Sequence, residues 1–329
     1  MSAALLVSVL RNPASVEALS AAQWNALLAA AKAERLIATL GVRLEGHAVP
    51  SAVRAVLDDA RADAEREAQQ ALWEADRAAF ALRETGVPVV LLKGAAYAAA
   101  GIDAARGRFI GDLDILVPRA AMDQVESALL AAGWEWVKED AYDDAYYRQW
   151  MHELPPLIHV ERDRMIDVHH TILPLTARPR PDADALLASA VNVGEGLYVL
   201  SHEDRVIHAA AHMLADGDLQ GGLRNLWDIH CLLGTCDPAV LDRRAERHGL
   251  IRHVKQARKL AGAIYGTGAR LTLWDRIVRA RLLARDGWGR ETRKALVFAF
   301  YLRSHLLRMP LPMLARHLFT KWRKGHRPQ

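Results

Sequence analysis

Cysteine is nearly absent from this 329-residue chain: Cys231 and Cys236 are the only two, five positions apart. A pair so spaced supports neither a disulfide framework nor a zinc site. It suits a reducing compartment, so the chain is expected in the cytoplasm. No run of about 18 uncharged apolar residues occurs, which argues against a membrane-spanning helix. The apolar stretch 3–10 has no Lys or Arg ahead of it and is followed at once by Arg11, Asn12 and Pro13. A secretory leader carries its positive charge in front, so a buried helix is expected there instead. Internal repeats and low-complexity tracts are also lacking.

What is present is an ordinary globular composition, 51% hydrophobic and 25% charged, in a chain long enough for two or three domains. The formal charge of +4 hides an asymmetry. From Arg270 onward 15 Lys and Arg face 3 Asp and Glu, so the preceding residues are net acidic. A basic tail of this kind holds nucleic acid, anionic lipid or an acidic partner, or is the solvated face of ordinary helices. Leu, Val and Trp interleaved at helical spacing favour the last, and the segment 294–324 is expected to pack on the helical region.

Residues 1–84 read as helical. Ser20-Ala21-Ala22-Gln23 has the form of a capping box ahead of Trp24, Leu27 and Leu28, and a long Ala-, Arg- and Glu-rich helix is expected over 51–84. The texture changes at Gly86-Val87-Pro88. Val89-Val90-Leu91-Leu92 is a short apolar run that suits a buried strand, and Gly94 then opens a small-residue helix over 95–100. Strands are expected over 109–117, 134–137, 157–161 and 165–172, with a helix over 119–132 closed by Gly133. The acidic, aromatic segment 139–150 reads as a loop, either a lid or a connector. Pro-rich residues 174–181 read as a linker, and from Ser201 the chain is helical again, with helices over 201–213 and 223–233.

The chemistry concentrates in the centre. Asp112 and Asp114 are two apart on an expected strand, so both carboxylates face the same way. They would repel each other and would be costly to bury without compensation, for which a divalent cation is the natural agent. Mg²⁺, or Mn²⁺ in its place, prefers a few hard carboxylate oxygens together with substrate phosphates. Ile166-Asp167-Val168 sets a third carboxylate between apolar neighbours on a further strand. At the strand-to-helix junction, Gly94 would let backbone N–H groups approach a phosphate closely. Three acids converging beside such a turn suit two-metal displacement at phosphorus.

These residues resemble a known family. Leu92-Lys93-Gly94, then Arg108 to Val117 with Asp112 and Asp114, then Ile166-Asp167-Val168-His169, look like the bacterial uncharacterised nucleotidyltransferases of the DNA polymerase β-like superfamily. The resemblance spans roughly residues 85–265. It continues at Leu200-Ser201-His202-Glu203-Asp204 with His208 and His212, and at Leu226-Trp227-Asp228-Ile229. It implies an α+β protein in which a minimal nucleotidyltransferase α/β core with a mixed sheet, residues 85–180, is flanked by a helical N-terminal region, 1–84, and a helical C-terminal domain, 181–329. It implies Asp112, Asp114 and Asp167 as metal carboxylates and Gly94 in the nucleotide loop. Nucleoside monophosphate would pass from a nucleoside triphosphate to a small-molecule, peptide or RNA acceptor, with release of pyrophosphate.

Lys93 and Arg108 are further candidates for phosphate, although Arg108 can equally pin a carboxylate by a bidentate pair. His208 and His212, i,i+4 on a helix, lack the Glu of a His-Glu-x-x-His arrangement, so contact with the nucleotide or simple packing is expected rather than a zinc site. Arg224 and Asp228 are also i,i+4, which is most often a helix-stabilising pair. A general base at His169 is not favoured. Better-known superfamily members carry Gly-Ser or Gly-Gly where this chain has Gly94-Ala95. That departure motivates the rival reading of a degenerate, non-catalytic binding or scaffold module. A third reading, nucleotide addition to a tRNA end, would use the basic tail.

Overall fold

A computed structural model describes residues 2–315 apart from Glu139, Thr267, Pro310 and Met313. The most basic stretch, including Arg316, Lys321, Arg323, Lys324 and Arg327, lies outside the described residues, as does the end of the expected 294–324 segment.

The chain opens with helices α1 (Ser2–Arg11), α2 (Ala21–Ala33) and α3 (Ile37–Arg43). The capping box at α2 is complete: Gln23 N donates to Ser20 Oγ at 3.3 Å, and Ser20 N donates to Gln23 Oε1 at 2.8 Å. Helix α4 (Ser51–Leu82) follows. Its buried positions, among them Val53, Leu57, Ala60, Ala64, Ala71, Ala75 and Ala78, recur at helical spacing and are mostly alanine. So small a stripe lets the helix axis lie close to its neighbours, and α4 runs across strands of the central sheet.

That sheet begins with β1 (Val89–Leu91), followed by α5 (Lys93–Ala99), β2 (Leu113–Leu116), α6 (Met122–Ala131), β3 (Trp134–Trp136), α7 (Ala141–Trp150), β4 (Leu157–His159) and β5 (Met165–His169). After α8 (Ala183–Ala188) come β6 (Val191–Gly194) and β7 (Leu197–Val199). Among the described residues the seven strands form one mixed sheet in the order β3-β4-β5-β2-β1-β7-β6. The pairs β2–β5 and β1–β7 are parallel and the other pairs antiparallel. Val90, Leu91, Ile115, Leu116, Ile166 and Val168 on the central strands are essentially inaccessible, as continuous apolar strands covered on both faces must be.

Helices α9 (His202–Ala211), α10 (Gly222–Leu233), α11 (Pro238–Arg247) and α12 (Ile251–Ile264) pack on one another, and α13 (Leu273–Leu282) and α14 (Lys294–Arg308) complete the described chain. One continuous apolar core joins these helices, the sheet and the N-terminal helices. None of the described helices is long and apolar enough to cross a membrane.

The architecture is the expected α+β one, with three local corrections. Residues 141–150 are a helix, not a loop. Asp140 Oδ1 accepts from Asp143 N at 3.0 Å, and Arg148 Nε donates to Asp144 at 2.8 Å and its guanidinium to Glu126. Acids at the start and Arg near the end are a helix pattern that the aromatic composition obscured. Strand β2 is shorter than 109–117, and Asp112 stands one residue before it. Finally, the expected end of the α/β unit at residue 180 precedes β6 and β7, which complete the sheet. Their hairpin turns through Gly194, Glu195 and Gly196, all at positive φ.

Between α5 and β2 the chain makes an excursion over residues 101–107 that is pinned against α3. Thr39 Oγ1 donates to the Gly107 carbonyl at 2.9 Å. Gly107, at φ 67°, brings its backbone so near α3 that a Cβ would stand 2.4 Å from Thr39 N. Only glycine fits there.

Candidate active site

The site forms where β1 ends and β2 begins. The two strands are antiparallel, so the segment leaving β1 meets the start of β2, and Leu92 N donates to the Asp114 carbonyl at 2.9 Å. Strand β5 runs parallel to β2 in a register that sets Asp167 directly beside Asp114. Asp112, just before the strand, completes the group, and donor oxygens of the three carboxylates all lie within 4.8 Å of one another. Asp112 is exposed, Asp167 half-buried and Asp114 only 2% exposed.

Lys93 follows at φ 48°, in the left-handed region. From there its Nζ reaches Asp114 Oδ1 at 2.5 Å, and His169 Nε2 lies 3.0 Å from the same oxygen. Burial opposes ionisation of Asp114. The ammonium of Lys93 and the hydrogen bond from His169 outweigh it and hold the carboxyl far below its usual range. Asp167 goes the other way: burial, then the charges of Asp114 and Glu153, push it up to about 7. One carboxylate is thus held ionised and its neighbour resists ionising, as expected of like charges crowded in one place.

Gly94 is buried, and its surroundings leave no room for a side chain. Its φ is not positive; a Cβ would lie 3.0 Å from Arg108 Nε and 3.0 Å from Ile110 Cγ1. The space a side chain would need is filled by side chains of the segment leading to Asp112. Arg108 is committed as well, to Asp228 of α10, which also pairs with Arg224, and it lies over the Tyr97 ring. Arg224 Nη1 in turn donates to Thr39 Oγ1 at 2.5 Å. The Arg224–Asp228 pair is therefore part of a buried network tying α10 to both α3 and the approach to β2.

Between the sheet end and the helical region lies a cavity of ≈ 290 Å³, whose lining includes Lys93, Gly94, Arg108, Asp112, Asp114 and His212. The helical side also contributes Arg35, Gln220, Gly221, Arg224 and Asn225. His208 and His212 both line a smaller adjoining hollow with Lys93 and Asp228. Burial, reinforced by the charge of Lys93, pushes His208 far below the ordinary imidazole range and His212 down to about 3. Both imidazoles are neutral at pH 7. His212 begins a π-turn, His212–Asp216, which ends α9 beside the cavity.

The sequence-predicted residues are thus brought to one place. The reading of the sequence did not single out His152 and Glu153, although Glu153 pairs with His169 as an isolated β-bridge beside the acids. Nor did it foresee Asp228 as the partner of Arg108, 120 residues away. Nothing in local spacing signals either contact.

In sequence, the model of one family, described as uncharacterised nucleotidyltransferase, matches residues 20–266. The match reaches back through α2–α4, well before the motifs that first suggested it. No curated protein matches the chain.

Proposed function

The chain belongs to the uncharacterised nucleotidyltransferase family, and from that premise we propose that it transfers a nucleoside monophosphate from a nucleoside triphosphate to a hydroxyl or phosphate acceptor, releasing pyrophosphate. The observation that carries this reading is the set of three carboxylates from β2, its approach and β5, within 4.8 Å of one another, of which Asp112 and Asp114 line a cavity.

The donor set fits a hard divalent cation, Mg²⁺ or Mn²⁺. Both contacts to Asp114 fall on Oδ1, so Oδ2 is the oxygen offered to a metal. Bound by Asp112, Asp114 and Asp167, such cations would hold the triphosphate and lower the pKa of an attacking hydroxyl. Lys93 keeps Asp114 ionised and adds a positive charge at the cavity wall. Asp167, once deprotonated, orients the acceptor. Arg108 is held by Asp228 with its Nε against Gly94, which fixes the loop carrying Asp112. His212, neutral, offers a hydrogen bond without repelling cations. The sheet and the helices α4–α6 would form the transfer unit, with α9 and α10 supplying the opposite wall.

A calorimetric titration of each nucleoside triphosphate with Mg²⁺ tests the binding half of this reading. We expect heat for at least one nucleotide in the wild type and a large loss of affinity in Asp112→Asn. Absence of heat with all four at millimolar concentration would defeat it. One observation favours the rival of a non-catalytic binding module: the Lys93 ammonium already neutralises Asp114. That rival predicts nucleotide binding that does not depend on Mg²⁺.

A further inference from the structure

His169 has two faces. Its Nε2 is turned to Asp114, but its Nδ1 points away from the acidic cluster, toward Glu153 Oε2 at 3.4 Å. The residue is 2% exposed, and among the described residues this Nδ1 has no hydrogen-bond partner. His152 adds a second imidazole: its Nε2 is 3.8 Å from the same Glu153 Oε2, and the two rings are 5.1 Å apart between centres. Donor atoms of His152, Glu153 and His169 all lie within 4.8 Å of one another. Backbone bonding holds the three in place. Glu153 bridges to His169, and His170 N donates to the His152 carbonyl at 2.8 Å, where the chain leaves α7.

We propose that His152, Glu153 and His169 form a zinc site separate from the three aspartates. Two imidazoles and one carboxylate are a ligand set that Zn²⁺ uses where a fourth position stays open, and Mg²⁺ disfavours nitrogen. An imidazole that binds metal through one nitrogen usually donates its other N–H to a carboxylate, which fixes the tautomer. Asp114 stands where that carboxylate is needed, 3.0 Å from His169 Nε2. The zinc would therefore hold His169 as a donor to Asp114 and set the orientation of a carboxylate in the acidic cluster. This inference stands whether or not the chain transfers nucleotides.

Co²⁺ is the probe, titrated into the full-length chain after chelator treatment. The proposal expects one equivalent with visible absorption bands of nitrogen-ligated, low-coordinate cobalt. Millimolar Mg²⁺ should leave the bands in place, as should Asp112→Asn. His152→Ala and Glu153→Gln should each weaken binding by at least about tenfold. Absence of such bands in the wild type would overturn the proposal. So would their loss to Mg²⁺ or in Asp112→Asn, or cobalt binding of unchanged affinity in His152→Ala. If either ligand variant fails to fold, the competition with Mg²⁺ and the Asp112→Asn spectrum still decide.

Discussion

Lys93 holds a backbone conformation that non-glycine residues seldom adopt, at a cost on the order of 1–3 kcal/mol, and its Nζ lands on a nearly inaccessible carboxylate. Removing that ammonium leaves Asp114 buried and unpaired on one side, which is the costly way to break an ion pair. With the Lys93 side chain 26% exposed, water softens the loss. Lys93→Met should therefore lower stability by about 2 kcal/mol in denaturant titration. Added Mn²⁺ should restore more of the melting temperature in this variant than in the wild type, since a cation would replace a lost positive charge. Equal stabilisation of both proteins would show that Asp114 does not face the metal.

Asp167 gives the pH dependence at the same scale. Its pKa, raised from 3.8 to about 7, means that the folded protein keeps a proton that the unfolded chain releases from about pH 4 upward. By linkage, this group makes the metal-free protein less stable as pH rises across that window. A divalent cation competes with the proton for the carboxylate. The rise in melting temperature on adding Mn²⁺ should accordingly be small at pH 5.5 and large at pH 8. A rise independent of pH would remove Asp167 from the metal site.

Among elements, α9 shows how a motif can suggest one role and serve another. Ser201-His202-Glu203-Asp204 belongs to the stretch that resembles the family, yet its contacts are structural. Ser201 caps α9 by accepting from Asp204 N at 3.2 Å. The Asp204 carboxylate, 0% exposed, accepts from Arg244 and Ser189 and lies 3.2 Å from His248 Nε2. Burial opposes its ionisation, but His248 and the bonded Arg244 beside it prevail and hold its pKa far below the usual range. The stability it contributes is present above the ordinary carboxylate range and is lost as pH falls through the depressed value. Asp204→Ala should cost about 3 kcal/mol or more, by leaving Arg244 without its buried partner, and should leave nucleotide affinity unchanged wherever the protein is folded. The junction of β1 and α5 is the opposite case. Gly94→Ala forces a methyl group against Arg108 and Ile110, at a cost of about 1–3 kcal/mol. It should also displace the segment that carries Asp112, so that affinity for Mg²⁺ and nucleotide falls with stability.

For the molecule as a whole, what could be read in advance divides along the range of the interactions. Asp114 and Asp167 are legible because carboxylates between apolar strand residues conflict with burial, and Asp112 because it stands two positions before Asp114. Long helices such as α4 and the box at Ser20 and Gln23 are legible because periodicity and capping are local. The hairpin of β6 and β7 carries a signal that went unused: Val191 to Val199 alternates around Gly-Glu-Gly. Helix α7 was masked by its composition. The bridge from Glu153 to His169 and the network joining Arg108, Asp228, Arg224 and Thr39 depend on how distant segments meet, which spacing cannot disclose. The second of these fastens α10 to α3 and to the approach to β2, so that the acidic cluster faces a wall supplied by the π-turn after α9 and by α10.

The most direct test of that arrangement is transfer itself. Nucleoside triphosphates labelled at the α-phosphate would be incubated with cell extract, Mg²⁺ and either the wild type or Asp112→Asn, and label in acceptor followed. The account predicts label transferred by the wild type from at least one nucleotide, dependent on Mg²⁺ and reduced at least a hundredfold in the variant. Equal transfer by both proteins would contradict it.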